Sequence, residues 1–146
     1  MMKELKIRRI QAGDIPQIVT IQESIRQKKV SRRWIRMVEN HLQRQEGVGF
    51  VALKEKQVLG FIIGEIKGEG FGLEESGWIE VVGVHPRQMG MGIGQALAER
   101  LFRFFKRKGI QEVYTAVQWD AVDMLSFFKS LGFDRSTFIN LRKHMN

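Results

Sequence analysis

The sequence predicts an α/β (α+β) fold: one mixed sheet covered by helices, in a single domain spanning residues 1–146. Three observations carry this prediction. Short runs with strand-like apolar patterning recur between longer runs with apolar residues at helical spacing. No repeat or low-complexity linker divides the chain, and 146 residues suit one sizeable core. A strand that is apolar on both faces apart from Glu80, Trp78–Val84, runs through a glycine-rich turn directly into an amphipathic helix, the join expected where a central strand meets a covering helix.

In chain order, Leu5, Ile7 and Arg9 alternate with Lys6, Arg8 and Ile10 in a first strand over residues 3–10. Ala12-Gly13-Asp14 ends it. Asp14 is placed to cap a helix with Pro16 in its first turn, where a missing N–H costs little. Ile15, Ile18, Val19, Ile21 and Ile25 carry that helix to Lys28. Ser31 is placed to cap a second helix whose stripe is Trp34, Ile35, Val38 and Leu42, and Gly47 and Gly49 end the helical region. Phe50–Leu53 and Val58–Ile66 form a hairpin across the polar turn Lys54–Gln57. Gly60 and Gly64 within it signal a bulge or a close approach by another element. Gly68–Ser76 reads as a loop and a candidate rim for a site. After the Trp78 strand, a helix over 92–108 carries Ile93, Leu97, Leu101, Phe104 and Phe105, and Gly109 follows as its C′ residue. Ile110–Val117 is a strand. Asp120 is placed to cap a last helix with Val122, Leu125, Phe128 and Leu131 on one face, ended by Gly132, and Phe133–Leu141 is a final strand. The order is β-α-α-β-β-β-α-β-α-β.

Composition narrows the function classes. There are no cysteines, which excludes a disulfide scaffold, a thiolate metal site and a cysteine nucleophile, and favours a reducing compartment. The start, MMKELKIRRI, has no apolar h-region, and no apolar run reaches membrane-spanning length. The expectation is a soluble cytoplasmic protein that binds no membrane. The net charge of +8 suits an anionic ligand or simply a solvated basic surface. It forms no continuous basic arm, so nucleic acid is disfavoured. His41, His85 and His144 have no metal-ligand spacing with acidic residues, and no metal is expected. Arg26, Lys28, Lys29, Arg32, Arg33 and Arg36 gather at the junction of the first two helices. They read as a solvated corner or as a basic wall for an acidic acceptor.

The stretch Trp78–Leu97, WIEVVGVHPRQMGMGIGQAL, is the most informative. Glycines let the backbone approach a ligand and take positive φ. A helix start leaves amide N–H groups unpaired and carries partial positive charge. Together these suit phosphate or pyrophosphate. Gly90-Met91-Gly92-Ile93-Gly94 has neither the Gly-Lys-Ser/Thr of a Walker loop nor the GxGxxG spacing of a dinucleotide-binding turn. A plain strand-to-helix turn is the alternative.

VHPRQMGMGIGQAL resembles the acyl-CoA pyrophosphate motif of the GNAT superfamily of N-acetyltransferases: Val-x-Pro, two residues, Arg/Gln-x-x-Gly-x-Gly/Ala, then a helix. Residues 126–133, SFFKSLGF, resemble that family's closing segment, usually Phe-Tyr-x-x-Leu-Gly-Phe. The resemblance implies a GNAT-like mixed, mostly antiparallel sheet with splayed central strands, flanked by helices. It implies that backbone N–H groups of Met89, Gly90, Met91, Gly92, Ile93 and Gly94 hold the pyrophosphate of acetyl-CoA. The strand edge at Val82, Gly83 and Val84 would pair with pantetheine, and Phe127, Phe128 and Lys129 would lie beside the cofactor, with Lys129 either reaching its phosphates or standing exposed. A primary amine, from a small metabolite or a protein, would enter from the other side and attack the thioester directly.

Direct attack needs a neutral amine, so a base must take its proton. Glu80 is the candidate, set on the Trp78/Val82/Val84 face, where burial would raise its pKa. The alternative is a structural Glu paired with a cation. The sequence departs from the family pattern at three positions. Met89 replaces Arg or Gln, Phe128 replaces a Tyr that protonates the leaving thiolate, and Ala121 replaces an Asn that contacts the cofactor. A non-catalytic acyl-CoA-binding or regulatory module is therefore the second reading. The basic helix junction favours an amine attached to an acidic group over a polycation. Trp119 reads as core packing, a capping contact or a pocket wall. Sheet edges leave a homodimer open.

Overall fold

A five-stranded sheet in the order β1-β2-β3-β4-β5 organises the chain. The elements are β1 (Lys6–Arg9), α1 (Ile15–Arg26), α2 (Arg32–Gln43), β2 (Gly47–Lys54), β3 (Gln57–Lys67), β4 (Ser76–Val84), α3 (Ile93–Arg107), β5 (Val113–Thr115) and α4 (Val122–Ser130). The first four strands pair antiparallel, and β5 joins β4 in parallel. The computed structural model describes residues 4–68 and 74–146. These form two units, one running through Thr115 and one beginning at Ala116.

In the first unit, helices cover both faces of the sheet. On one face Ile18, Ile21 and Val38 of α1 and α2 pack with Val51, Leu53, Phe61 and Ile63 of the strands. On the other, Ile93, Leu97, Leu101, Phe104 and Phe105 of α3 are buried. Complete burial of one such side chain contributes about 1.5–3 kcal/mol. Covered on both faces, β2 is buried from Gly47 through Leu53, which explains a near-continuous apolar run rather than alternation.

Two glycine expectations hold, for a reason of close approach. A Cβ on Gly60 would lie 3.1 Å from Ile93 and 3.2 Å from Leu97, and one on Gly64 would lie 3.1 Å from Leu101. α3 thus lies directly on β3. Both positions also adjoin register shifts, at Ala52/Leu53 and at Ile63/Gly64. Gly47 and Gly49 do not end a helix; they belong to β2. The strand passes so close beneath α2 that a Cβ on Gly47 would collide with the His41 carbonyl.

Other local expectations need correction. Asp14 precedes α1, but its side chain makes no cap hydrogen bond. It accepts instead from Arg8 Nη1 and Nη2 at 2.7 and 3.0 Å, and from the Gln11 N–H at 2.7 Å. Ser31 does cap α2, accepting from the Trp34 N–H at 3.1 Å. Asp120 caps nothing, because Ala121 is the N-cap of α4. The strand expected over 110–117 is reduced to Val113–Thr115. The strand expected over Phe133–Leu141 does not form, and Phe138, Ile139 and Leu141 are exposed. A strand exists only as a member of a ladder, and no ladder includes these residues. In the second unit Phe128 is buried against the Phe127 and Phe133 rings, whose centroids lie 5.1 and 5.2 Å away. Val122 and Leu125, expected on the same apolar face, are exposed. Of the expected Gly68–Ser76 rim, residues 69–73 lie outside the described residues.

Asp14 fastens β1 to the start of α1. The Arg8 guanidinium, hydrogen-bonded to it, is the main cause that holds its carboxyl below the usual carboxylate range, and burial opposes this. A depressed folded-state pKa means that the carboxylate stabilises the fold above the ordinary carboxylate range, and that this is lost as pH falls through the depressed value. Asp14→Asn is therefore expected to lower stability at pH 7 by about 1–3 kcal/mol in denaturant titrations. The gap between variant and parent should narrow in acid; a gap independent of pH would contradict the assignment.

Candidate active site

The turn from β4 to α3 is built of backbone. His85 accepts from the Arg87 N–H at 3.2 Å through Nδ1, so its role here is to cap a short 3-10 turn over Pro86–Gln88. Gly90 and Gly92 both adopt φ +82°, and a Cβ at either would meet nothing within 4 Å. Packing does not require glycine there; the backbone conformation does, together with an open concave approach to the amides. Gly92 is the N-cap of α3 and provides no side-chain acceptor. The first amides of this 15-residue helix therefore point toward solvent at the positive end of its dipole. Met89 and Met91 are 59% and 50% exposed and bring no polar donor of their own. The arrangement fits a pyrophosphate held by main chain alone.

Beside this cradle β4 has an open edge. β5 pairs with β4 only at Gly77↔Val113, Trp78↔Tyr114 and Ile79↔Thr115. The Gly77 N–H donates to the Glu112 carbonyl at 2.9 Å, and Thr115 Oγ1 donates to the Ile79 carbonyl at 3.1 Å. β4 runs on to Val84 beside β3 alone. The His85 N–H bonds to the Leu59 carbonyl of β3 at 2.8 Å. Alternation along an antiparallel ladder then turns the Gly83 backbone toward β3 and leaves that of Val82 and Val84 on the open edge. Gly83 itself is dictated by packing, since a Cβ would stand 2.7 Å from the Phe61 ring.

Glu80 keeps the face of Trp78, as expected, but Val82 and Val84 do not share it. Gly64 pairs with Ile79 and Ile63 with Val81, so Glu80 is the extra residue of a β-bulge. Val81 packs into the α1/α2 core, whereas Gly60 and Gly64, which pair with Val84 and Ile79, face α3. Glu80 therefore shares the α1/α2 face with Trp78 and Val81, while Val82 and Val84 face α3. The residue is also not buried. Its side chain is 28% exposed, with Oε1 3.1 Å from Lys67 Nζ, and Lys67 lies over the Trp78 ring at 4.8 Å.

The structure adds partners to Glu80 that sequence inspection missed. Ligand atoms of His41, Glu65 and Glu80 lie within 4.8 Å of one another. His41 Nδ1 is 2.8 Å from the Met37 carbonyl, which can only accept, so Nδ1 carries hydrogen. Its Nε2 is 2.9 Å from Glu65 Oε1. Arg44 reaches Glu65 Oε2 at 3.2 Å. Both ring nitrogens are engaged and both carboxylates face cations, so the three residues belong to a hydrogen-bonded charge network. A sequence signal existed: Glu65 is the one acid in the otherwise apolar run VLGFIIGEI. His41 Nε2 is a partner that spacing along the chain does not reveal.

Phe127, Phe128 and Lys129 lie on α4 in the second unit, where Phe128 is buried and Lys129 exposed. Trp119, read as core packing, a capping contact or a pocket wall, is 88% exposed and makes no core contact.

Residues 15–133 match the acetyltransferase (GNAT) family, and the chain belongs to it. The mycothiol acetyltransferase of Amycolatopsis mediterranei (strain U-32) is 33% identical over 89 residues, 59% of this chain. The match spans only 30% of that longer protein. An aminoglycoside N-acetyltransferase solved with CoA superposes with TM-score 0.83 at 16% identity, covering 97% of this chain and 95% of that one. A transcriptional regulator from Bacillus halodurans C-125 superposes with TM-score 0.82 at 19% identity, covering 97% of this chain and 100% of that one. Identities this low establish the shared fold: a mostly antiparallel sheet covered by helices.

Replacing Glu65 with Leu leaves the buried His41 and the Arg44 guanidinium without their carboxylate. The expected loss is about 3 kcal/mol in chemical denaturation, and an unchanged unfolding midpoint would remove the network's structural role.

Proposed function

We propose that the protein is an acetyl-CoA-dependent N-acetyltransferase acting on a primary amine, with Glu80 as the base. The observation that carries this reading is the adjacency of three features: the main-chain cradle at Gly90–Gly94, the open edge of β4 at Val82 and Val84, and a carboxylate at the bulge where that edge begins. Acetyl-CoA supplies an acyl group activated as a thioester. Met89, Gly90, Met91, Gly92, Ile93 and Gly94 would bind its pyrophosphate through N–H groups, and the Val82 and Val84 backbone would orient pantetheine along that edge. The Glu80 carboxylate accepts a proton from the incoming ammonium, which frees the nitrogen lone pair to form the new C–N bond as the C–S bond breaks, and the nitrogen then releases its second proton to solvent to leave the neutral amide. Lys67, with Nζ 3.1 Å from Oε1, orients that carboxylate. The thiolate takes its proton from solvent, since Phe128 has none to give. The setting proposed is the cytoplasm, and residues 1–146 are proposed to act as one domain.

A second reading, an acyl-CoA-binding module without turnover, is favoured by the Met89 and Phe128 side chains, which provide neither a donor nor an acid. Thiol release with a panel of amines, set beside calorimetric titration with acetyl-CoA, separates the two: binding without transfer selects the module, and no binding eliminates both.

Two variants sharpen the catalytic reading. Glu80→Gln is expected to lower kcat by about 10²–10⁴-fold while acetyl-CoA affinity holds; unaltered turnover would assign the proton to another base. Gly92→Val forces a branched side chain into positive φ at a cost of about 1–2 kcal/mol. It should weaken acetyl-CoA binding in calorimetry by roughly tenfold, and undiminished affinity would move the pyrophosphate elsewhere.

A further inference from the structure

One face of α2 lines a groove of about 400 Å³ formed by Arg33, Arg36, Met37, Asn40, His41 and Arg44. We propose that this groove selects the acceptor, and that the acceptor is a primary amine bearing an anionic group, carboxylate or phosphate, about 8–12 Å from its nitrogen. The inference rests on the transferase reading above and assigns the substrate class of that same site.

Position comes first. His41 lines the groove and is also one of the three residues whose ligand atoms cluster within 4.8 Å with Glu80. One end of the groove therefore opens beside the carboxylate that would take the amine's proton. The groove lies on the α1/α2 face, across β4 from α3, so an acceptor lying in it approaches from the side opposite that helix.

Charge comes second. Among the described residues no Asp or Glu lines the groove. Arg44, at the His41 end, spends its guanidinium on Glu65. Arg33 and Arg36 are exposed, and among the described residues neither has a carboxylate partner within 4.0 Å. They stand eight and five residues before His41 on α2, about 12 and 8 Å along the axis at 1.5 Å per residue. A guanidinium offers paired donors that match a carboxylate or phosphate. The groove thus presents a proton-accepting end and, a molecule's length away, an anion-binding end. Arg26, Lys28, Lys29 and Arg32, the rest of the basic cluster in the sequence, do not line it. The same charges repel polycations such as aminoglycosides, despite the shared fold.

The test uses protein loaded with saturating acetyl-CoA and probes matched in length: 6-aminohexanoate, 6-aminohexyl phosphate and 1,6-diaminohexane. Binding is measured at low salt, separately from thiol release. Either anionic probe should bind at least about tenfold more tightly than the diamine, and their ranking distinguishes carboxylate from phosphate. Arg33→Gln with Arg36→Gln should erase the preference, and Arg33→Glu with Arg36→Glu should invert it, with melting temperatures checking that each variant folds. Equal binding of all three probes, no binding of either anion, or a preference that survives both double variants overturns the proposal. Selective binding without thiol release supports the groove while sinking the catalytic reading; turnover without selectivity does the reverse.

Discussion

The bulge at Glu80 sets the geometry on which the site depends. One extra residue in β4 places Glu80 and Val81 on the same side of the sheet. Every later residue of the strand changes face relative to simple alternation. Pairing with β5 stops one residue earlier, at Ile79. A bulge strengthens local twist and bends its strand, so the place where β4 loses its neighbour is also the place where its side chains are re-aimed. Gly64 makes this tolerable: a Cβ there would crowd Leu101 on one side and the Trp78 carbonyl, at 2.9 Å, on the other.

Around that point the two faces of the sheet have divided roles. Toward α3 the packing is apolar, and the helix start projects its amides beyond the end of β4. Toward α1 and α2 the apolar core of Ile18, Ile21, Val38, Phe61 and Ile63 gives way to the His41–Glu65–Arg44 network near the start of β4. Buried charges are costly unless paired and hydrogen-bonded. Here each has a partner, and among the described residues no buried side-chain polar atom is left unsatisfied. The network therefore needs no ligand for stability, yet it holds α2 against β3 and so fixes the groove arginines relative to the bulge.

The proposed chemistry relies on backbone for binding and on one carboxylate for proton transfer. Main-chain donors at Gly90–Gly94 are insensitive to the identity of the Met89 and Met91 side chains, which is how a cradle survives without the usual polar residue. Catalysis has no such backbone substitute. This asymmetry is why cofactor binding and turnover are separable questions here, and why an acyl-CoA-binding module remains a coherent second reading.

Much of the fold was legible because it depends on local rules. Helical periodicity located α1, α2 and α3, alternation and turn residues located the hairpin, and the glycines at 60 and 64 announced a close approach. The cradle was legible for the same reason, since its glycines and helix start are contiguous in sequence. What depended on pairing was not. The terminal segment Phe133–Leu141 has strand-like composition, but composition does not supply a partner strand. Asp14 looks like a helix cap until Arg8, brought near by the β1-to-α1 turn, claims its carboxylate. Val82 and Val84 share the face of Glu80 by simple alternation until β3 imposes a bulge. His41, Glu65 and Glu80 stand 24 and 15 residues apart in turn, read from their numbers, and only the packing of α2 on β2 and β3, with β4 paired to β3, assembles them. The sequence alone determined the helices, the hairpin, the glycine-rich turn before α3 and the family, which are encoded within short windows. The tertiary structure decided which face each site residue occupies and which charges meet, because those follow from strand register and helix packing.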